Sequence, residues 1–392
     1  MLSRWHYAVE GRRDLRIDFL RGLAMTCVII DHSKMSSLLS WFSYERFWVV
    51  TAAEVFVVLS GIVLGMVYGH KLGLGGWPVV VRGLGRRALT LYVAFIAVTL
   101  SILVFSLAGF DVHTLTTWDD RPAAWFLDPR TMTAGAWRDI ALMRYGPWAF
   151  EIVGLYVWLV AAAVPCLVVL HFAGWRPLLA VSWSLYLWYR LAPHLLTAAE
   201  FESTFPILAW QLLFVHGLTI GFYRERVSAF VARCPRVVPI VVAGASAAFV
   251  VFALCNPRVH GPLWLHWSIV SPERFTYLYT HYFTLTSLGI GRLMNLAVAL
   301  PVGYALLTWC WAMVRPLGII FVTLGQQSLG AFVLHVYGLL LIEHMPYADE
   351  LWTNTLVQII LIVAIAALLN GAQRVSHGRR TMRAAPARPL AV

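Results

Sequence analysis

One stretch near the start of the chain, IDFLRGLAMTCVIIDHSK, sets Asp18, Arg21, Asp31 and His32 inside an otherwise apolar run. An ionisable side chain within a membrane span costs at least ~2.5–3.5 kcal/mol on insertion scales, so residues retained there are the first place to look for chemistry. Asp18 and Arg21 stand three residues apart, which puts them on one helix face and lets them pair. Arg21 and His32 are eleven residues apart. That is three helical turns and about 16 Å of rise, which returns them to nearly the same face. One face then carries a guanidinium at one end and an imidazole at the other. This suits a donor with an anionic head at Arg21 and a reactive carbonyl reaching His32. An acyl-CoA has that shape. An imidazole, with its near-neutral pKa, can take the proton of an acceptor hydroxyl. The bland reading of the same residues is a helix anchored by Asp18–Arg21, with His32 a satisfied core histidine.

Glu54 follows in TAAEVFVVLSG, a few turns into the next apolar run. A lone glutamate there needs a partner. A short intervening loop makes the first two runs antiparallel neighbours, so Glu54 can meet His32 and hold its tautomer as a triad carboxylate does. Pairing with Arg292 purely for helix packing serves equally well. Further polar residues in apolar runs are Glu151 and Tyr156, Arg190 and His194, Arg292 and Asn295, and Gln326, Gln327, Ser328 and His335. No spacing of His, Cys or acidic residues indicates a metal site.

The elements that position these residues follow from composition. The chain has 392 residues, 60% of them hydrophobic and 12% charged. Soluble domains carry about 25% charged residues, so a water-facing surface is excluded. Runs long enough to cross a bilayer lie at 17–38, 47–69, 86–109, 148–172, 177–196, 206–223, 237–255, 289–314, 316–343 and 353–371. The expectation is an all-α, polytopic integral membrane helical bundle of about ten transmembrane helices. Residues 1–16 form a cytoplasmic N-terminal segment, 17–371 the membrane domain and 372–392 a basic cytoplasmic tail whose last stretch, RRTMRAAPARPLAV, is expected to be disordered. The longest polar interruptions, 110–146 and 256–284, are too short to be separate domains. No cleavable signal peptide precedes Ile17.

A net charge of +11 would suggest nucleic acid in a soluble protein. Here it is a topology signal. Most basic residues, among them Arg4, Arg12, Arg13, Lys71, Arg86, Arg87, Arg224, Arg226 and Arg388, fall on one set of loops. The other loops hold acids such as Asp119, Asp120, Asp128, Glu200, Glu202 and Asp349. With basic loops inside, both termini are cytoplasmic. Tryptophans near span ends and in outer loops (Trp125, Trp137, Trp148, Trp264, Trp267, Trp352) make either an aromatic belt at the headgroups or a platform for sugar rings. The five cysteines have neither metal-ligand nor CxxC spacing.

At this point the residues resemble a family. RDLRIDFLRGLAMTCVIIDH followed by TAAEVFVVLSGIVLGMVYG resembles the opening of the OpgC family, within the wider acyltransferase-3 superfamily. That superfamily's arginine and histidine, ten intervening residues apart in the first span, match Arg21 and His32. The likeness continues in FPILAWQLLFVHGLTIGFYR, SLGIGRLMNLA and TLGQQSLGAFVLHV. It implies a multi-pass O-acyltransferase of the bacterial inner membrane. Such an enzyme moves a succinyl or acetyl group from cytoplasmic succinyl-CoA or acetyl-CoA to a hydroxyl of an extracytoplasmic glycan. His32 would be the base, Asp31 or Glu54 its orienter, and Arg21, with Asp18 and Arg292, the donor contact. Glu151, Tyr156 and His335 would line the substrate cavity. No metal is required, membrane lipids surround the protein, and a homodimer is the oligomer to test. Two rival classes are a proton-coupled secondary transporter or glycan exporter, and a polyprenyl-phosphate-sugar glycosyltransferase. The first would show repeated, discontinuous helices. The second would place acids in the first outer loop, where only Glu45 stands.

Overall fold

A computed structural model of the chain describes residues 14–118, 121–122, 134–259, 266–345 and 350–384. Arg4, Arg12, Arg13, Asp119, Asp120, Trp125, Asp128, Trp264, Asp349 and Arg388 lie outside the described residues.

Helix α1 (Leu15–His32) begins where the Asp14 carboxylate accepts from the Arg16 amide at 3.0 Å, an N-cap. The Arg16 guanidinium closes back on Asp14 and also donates to Thr308 at 2.9 Å. The Tyr304 hydroxyl bonds Asp14 at 2.6 Å. This buried knot ties the start of α1 to a distant helix.

Helix α2 (Ala52–Leu107) starts with a capping box between Thr51 and Glu54. It runs 56 residues, about 84 Å at helical rise and far longer than a bilayer is thick. At Gly76 the backbone leaves helical geometry, with φ of 67°, a value open to glycine. Beyond this point the chain doubles back. A Cβ placed on Gly83 would lie 2.9 Å from the Tyr68 ring, a contact a straight helix could not make.

Between α2 and the next long helix lie α3 (His113–Thr116), a two-residue antiparallel pair (Thr117–Trp118 with Arg121–Pro122), and α4 (Ala134–Ala141). Then follow α5 (Glu151–Phe172), α6 (Trp175–Leu191), α7 (Phe201–Thr204), α8 (Ile207–Phe222), α9 (Arg224–Arg233) and α10 (Val237–Leu254). The C-terminal half adds α11 (Pro272–Tyr282), α12 (Ile290–Trp309), α13 (Trp311–Val314), α14 (Gly318–Gln326), α15 (Ser328–Glu343) and α16 (Leu351–Ala384).

Small residues bring key helices into backbone contact. Gly61 and Gly65 of α2 face Gly217 and Gly221 of α8 in a parallel pair. A Cβ on Gly65 would lie 2.2 Å from the Leu218 carbonyl, and one on Gly221 2.0 Å from the Ile62 carbonyl. This small-xxx-small seam suits helices that gain little hydrophobic driving force from each other in lipid. The α1–α14 pair is antiparallel and closer still. Cβ atoms on Gly22 and Gly325 would lie 1.7 Å from the Phe321 carbonyl and 1.8 Å from the Asp18 carbonyl. One continuous apolar core joins α1, α2, α5, α6, α8, α12, α14, α15 and α16. Outward faces are apolar too: Val93, Val104, Ile240 and Ile360 are each more than half exposed. That arrangement fits a lipid surround and not water.

The chain is therefore a polytopic helical membrane protein, and the expected count of ten spans is confirmed only in part. Among the described residues, five helices are long and apolar enough to cross a bilayer. They number six when the pair Trp311–Gln326 and Ser328–Glu343, bent by 92°, counts as one. The expected runs 47–69 and 86–109 lie on either side of the Gly76 bend in α2, so they remain two separate, back-to-back segments although α2 counts once among the five. Helices α6 and α8 are short, with 17 and 16 residues. In α1 the ionisable residues themselves interrupt the apolar window. The tail also differs from expectation, since α16 carries helix through Ala384.

Candidate active site

Two of the expected groups sit on α1 as its periodicity requires, and α15 touches both. At one end, Arg21 Nη2 donates to Ser328 Oγ at 2.7 Å. Its guanidinium lies 5.2 Å from the Phe56 ring centroid, within cation–π range. Asp18 accepts from Gln326 Nε2 at 3.3 Å. Asp18 and Arg21 thus grip the two sides of the α14–α15 break, where the 92° bend occurs. The N-terminus of α15 carries partial positive charge, so this end concentrates cationic character. Tyr156 joins the group from α5: its hydroxyl faces Ser60 and feels both Arg21 and Arg87.

At the other end, His32 Nδ1 lies 3.1 Å from His335 Nε2. His335 is fully buried and its Nδ1 donates to the Phe332 carbonyl at 2.6 Å. His32 is only half-buried, and the Trp148 ring meets it edge-on at 4.8 Å between centroids. Lys34 lies over that same indole, 5.0 Å from its centroid. Phe56 and Phe332, in edge-to-face contact at 5.4 Å, connect the two ends, Phe56 beside Arg21 and Phe332 beside His335.

The remaining expected residues go elsewhere. Asp31 is beside His32 in sequence but accepts from Ser43 Oγ at 2.5 Å, turned toward the 43–44 loop. Glu54 meets Arg292, at 2.8 Å, and the Thr51 amide, at 2.6 Å. Arg292 also pairs with Glu45 and donates from Nε to the Phe283 carbonyl at 3.0 Å. All three side chains are at most 1% exposed. Tyr279 completes this cluster through its hydroxyl at 3.1 Å from Glu45. Arg292 is thus placed with Glu54 and Glu45 and not with Arg21. Glu151 lies beside Glu200 and Thr204, away from Tyr156's surroundings. In the loop before α7, burial raises the Glu200 carboxyl to about 7, and its Oε2 has no hydrogen-bond partner among the described residues.

Sequence reasoning did not single out Glu45, Ser43, the Phe332 carbonyl or Glu200 as parts of a site. Glu45 sits in a loop at φ of 53°, a placement no pattern announces. Trp148 was legible only as one aromatic among many near span ends.

The geometry can do one kind of chemistry directly. A half-buried imidazole with one nitrogen held inward can exchange a proton at the other. A cationic patch on the same helix face, about 16 Å away, can hold an anionic group of the same molecule.

Comparison with known proteins adds the family. No curated protein and no solved structure matches the chain. The model of the family described as OpgC protein matches residues 13–377, nearly the whole sequence and every residue of both α1 groups. This chain, with its paired α1 groups and its multi-pass helical body, belongs to the OpgC protein family.

Proposed function

We propose that this chain is an O-acyltransferase that moves an acyl group, succinyl or acetyl, from cytoplasmic acyl-CoA to a hydroxyl of an extracytoplasmic glycan. The observation that carries the reading is that α15 contacts Arg21 through Ser328 and His32 through His335. The two ends of one helix face are thereby held by a common neighbour. Arg21, aided by the α15 N-terminus, takes a phosphate of the donor, and Asp18 keeps the α14–α15 break in place beneath it. The thioester extends along Phe56 and Phe332 toward His32. There His32 Nε2 accepts the proton of the acceptor hydroxyl as its oxygen attacks the thioester carbonyl. The C–S bond breaks, and the departing CoA thiolate takes the proton from the imidazolium. Trp148, packed at the imidazole, offers an apolar ring edge to the sugar. Tyr156 lies on the donor side. Membership in the OpgC family supports the acyl-transfer class, and the basic loops support an inner-membrane setting with both termini cytoplasmic.

The test is an assay of purified protein with radiolabelled succinyl-CoA or acetyl-CoA and a glucan acceptor. His32→Ala is expected to lose at least ~10²-fold in transfer, the usual worth of a positioned base. Normal transfer by that variant would remove His32 from the mechanism. A transport reading draws on the α14–α15 break, because broken helices line transporter sites. Substrate uptake into proteoliposomes with no consumption of acyl-CoA would establish it in place of acyl transfer.

A further inference from the structure

We infer that His335 is the residue that sets the tautomer of His32, and so decides which imidazole nitrogen faces the acceptor. The purpose of this arrangement rests on the acyl-transfer reading; its geometry does not.

Three groups stand in line: the Phe332 carbonyl, His335 and His32. A backbone carbonyl can only accept a hydrogen bond. The 2.6 Å contact from His335 Nδ1 to the Phe332 carbonyl therefore places a hydrogen on that nitrogen. Phe332 belongs to the same helix, one turn back, so the contact is built into α15 and does not depend on a loop. With its proton on Nδ1, neutral His335 has a bare Nε2, an acceptor. The atom facing that lone pair at 3.1 Å is His32 Nδ1, which must then be the donor. A neutral His32 with its hydrogen on Nδ1 leaves Nε2 bare, the form a general base needs. These assignments follow from the network itself, with hydrogens placed to satisfy it.

Burial sets the direction of the relay. His335 is completely buried, closed in by Phe332, whose ring lies 5.7 Å from its own, and by His32. Direct exchange of a proton with an acceptor sugar is closed to it. His32 retains access. The inner imidazole thus acts as a fixed acceptor and the outer one does the exchange. This part falls to a carboxylate in the familiar triads. Here neither nearby acid supplies it, since Asp31 bonds Ser43 and Glu54 bonds Arg292. A neutral acceptor has a chemical consequence. When His32 takes the hydroxyl proton at Nε2, its Nδ1–H still donates to His335, so the imidazolium keeps a hydrogen bond but gains no countercharge. The imidazolium is then a strong acid and returns its proton readily to the leaving thiolate. His335 is a positioning residue in this scheme and touches no substrate.

The experiment reads the tautomer directly. Protein selectively ¹⁵N-labelled at its 13 histidines is placed in nanodiscs. His32 resonances are assigned by their loss in His32→Gln. The expected wild-type signature is a protonated Nδ1 and an unprotonated Nε2. In His335→Phe, which keeps an aromatic filling but no acceptor, the signature is expected to shift to a mixture of tautomers. In the same variant kcat is expected to fall ~10²-fold or more while KM for the acyl donor holds. His335→Gln, whose side-chain carbonyl can accept from Nδ1, is expected to recover most of both. A wild-type His32 protonated on Nε2 overturns the inference without any variant. An unchanged tautomer in His335→Phe overturns it too. The expected tautomer together with a complete lack of acyl transfer upholds the assignment and refutes the acyltransferase reading instead.

Discussion

Replacing Gly22 by alanine tests how the Arg21 end of the candidate site is built. The new methyl would lie 1.7 Å from the Phe321 carbonyl oxygen, whereas ordinary contact begins at 3.4 Å. Helix α14 must then retreat by about 1.7 Å. The opposing atom is backbone, so no side-chain rotation relieves the clash. Overpacking of a filled interior costs about 1–3 kcal/mol, and a backbone clash belongs at the upper end. Alanine returns about 0.5–1 kcal/mol of helix propensity relative to glycine. The net expectation is a loss of about 2 kcal/mol. Gly244 and Gly303, whose added methyls would meet nothing within 4 Å, provide the matched controls. Each should gain about 0.5–1 kcal/mol as alanine. The same 1.7 Å movement, if it carries Ser328 along with α14, stretches the 2.7 Å Arg21–Ser328 hydrogen bond beyond bonding range. Misplacement on this scale can cost ~10²-fold in rate. The assay is unfolding in mixed detergent micelles, followed by circular dichroism, with acyl-CoA binding measured on the folded fraction. If Gly22→Ala unfolds at the same midpoint as Gly244→Ala and binds donor as wild type does, the packing argument is wrong.

Arg292→Met leaves Glu45 and Glu54 buried without their cation. Breaking a buried pair in this way destabilises by about 3–5 kcal/mol, and Glu54→Gln in the same background should recover part of it, seen as coupling in a double-mutant cycle of micelle unfolding. Glu200 provides a pH dependence. Its folded pKa of about 7 exceeds the unfolded value of about 4.3. The folded state therefore holds the extra proton between those values, and this carboxyl's contribution to stability declines as pH rises from about 4.3 through about 7. Glu200→Gln should flatten that slope and raise the melting temperature at pH 8 relative to wild type; an unchanged slope between pH 5 and 7 would contradict the burial argument.

What was legible came from periodicity. Arg21 and His32 share a face of α1 because eleven residues make three turns, and that relation needs no tertiary knowledge. Glu54 carried two open partners, and its contact in the fold is to Arg292. The choice between them depends on where α12 packs, which no local pattern encodes. His335 was visible only as one polar residue among several in an apolar run. Its relation to His32 spans 303 positions and rests on two rings meeting. The full span count is less legible. Apolar windows report lipid compatibility, not where a helix ends. The runs 47–69 and 86–109 read as separate and are so, because the chain doubles back at Gly76 between them. The shortfall from ten lies in short helices such as α6 and α8 and in the charged α1. In α1 the residues that mark it as functional are those that spoil it as a plain apolar span.

The Arg292 cluster also bears on how the chain is made. Glu45 and Glu54 precede their cation by 247 and 238 positions. At roughly 5–20 residues per second of synthesis, both carboxylates wait on the order of tens of seconds before Arg292 exists. During that interval the opening helices are threaded into the bilayer with their acids unmatched. The arrival of α12 brings the cation that neutralises them. A chain ended before that point would carry two acids that lack this cation and must lie protonated or exposed.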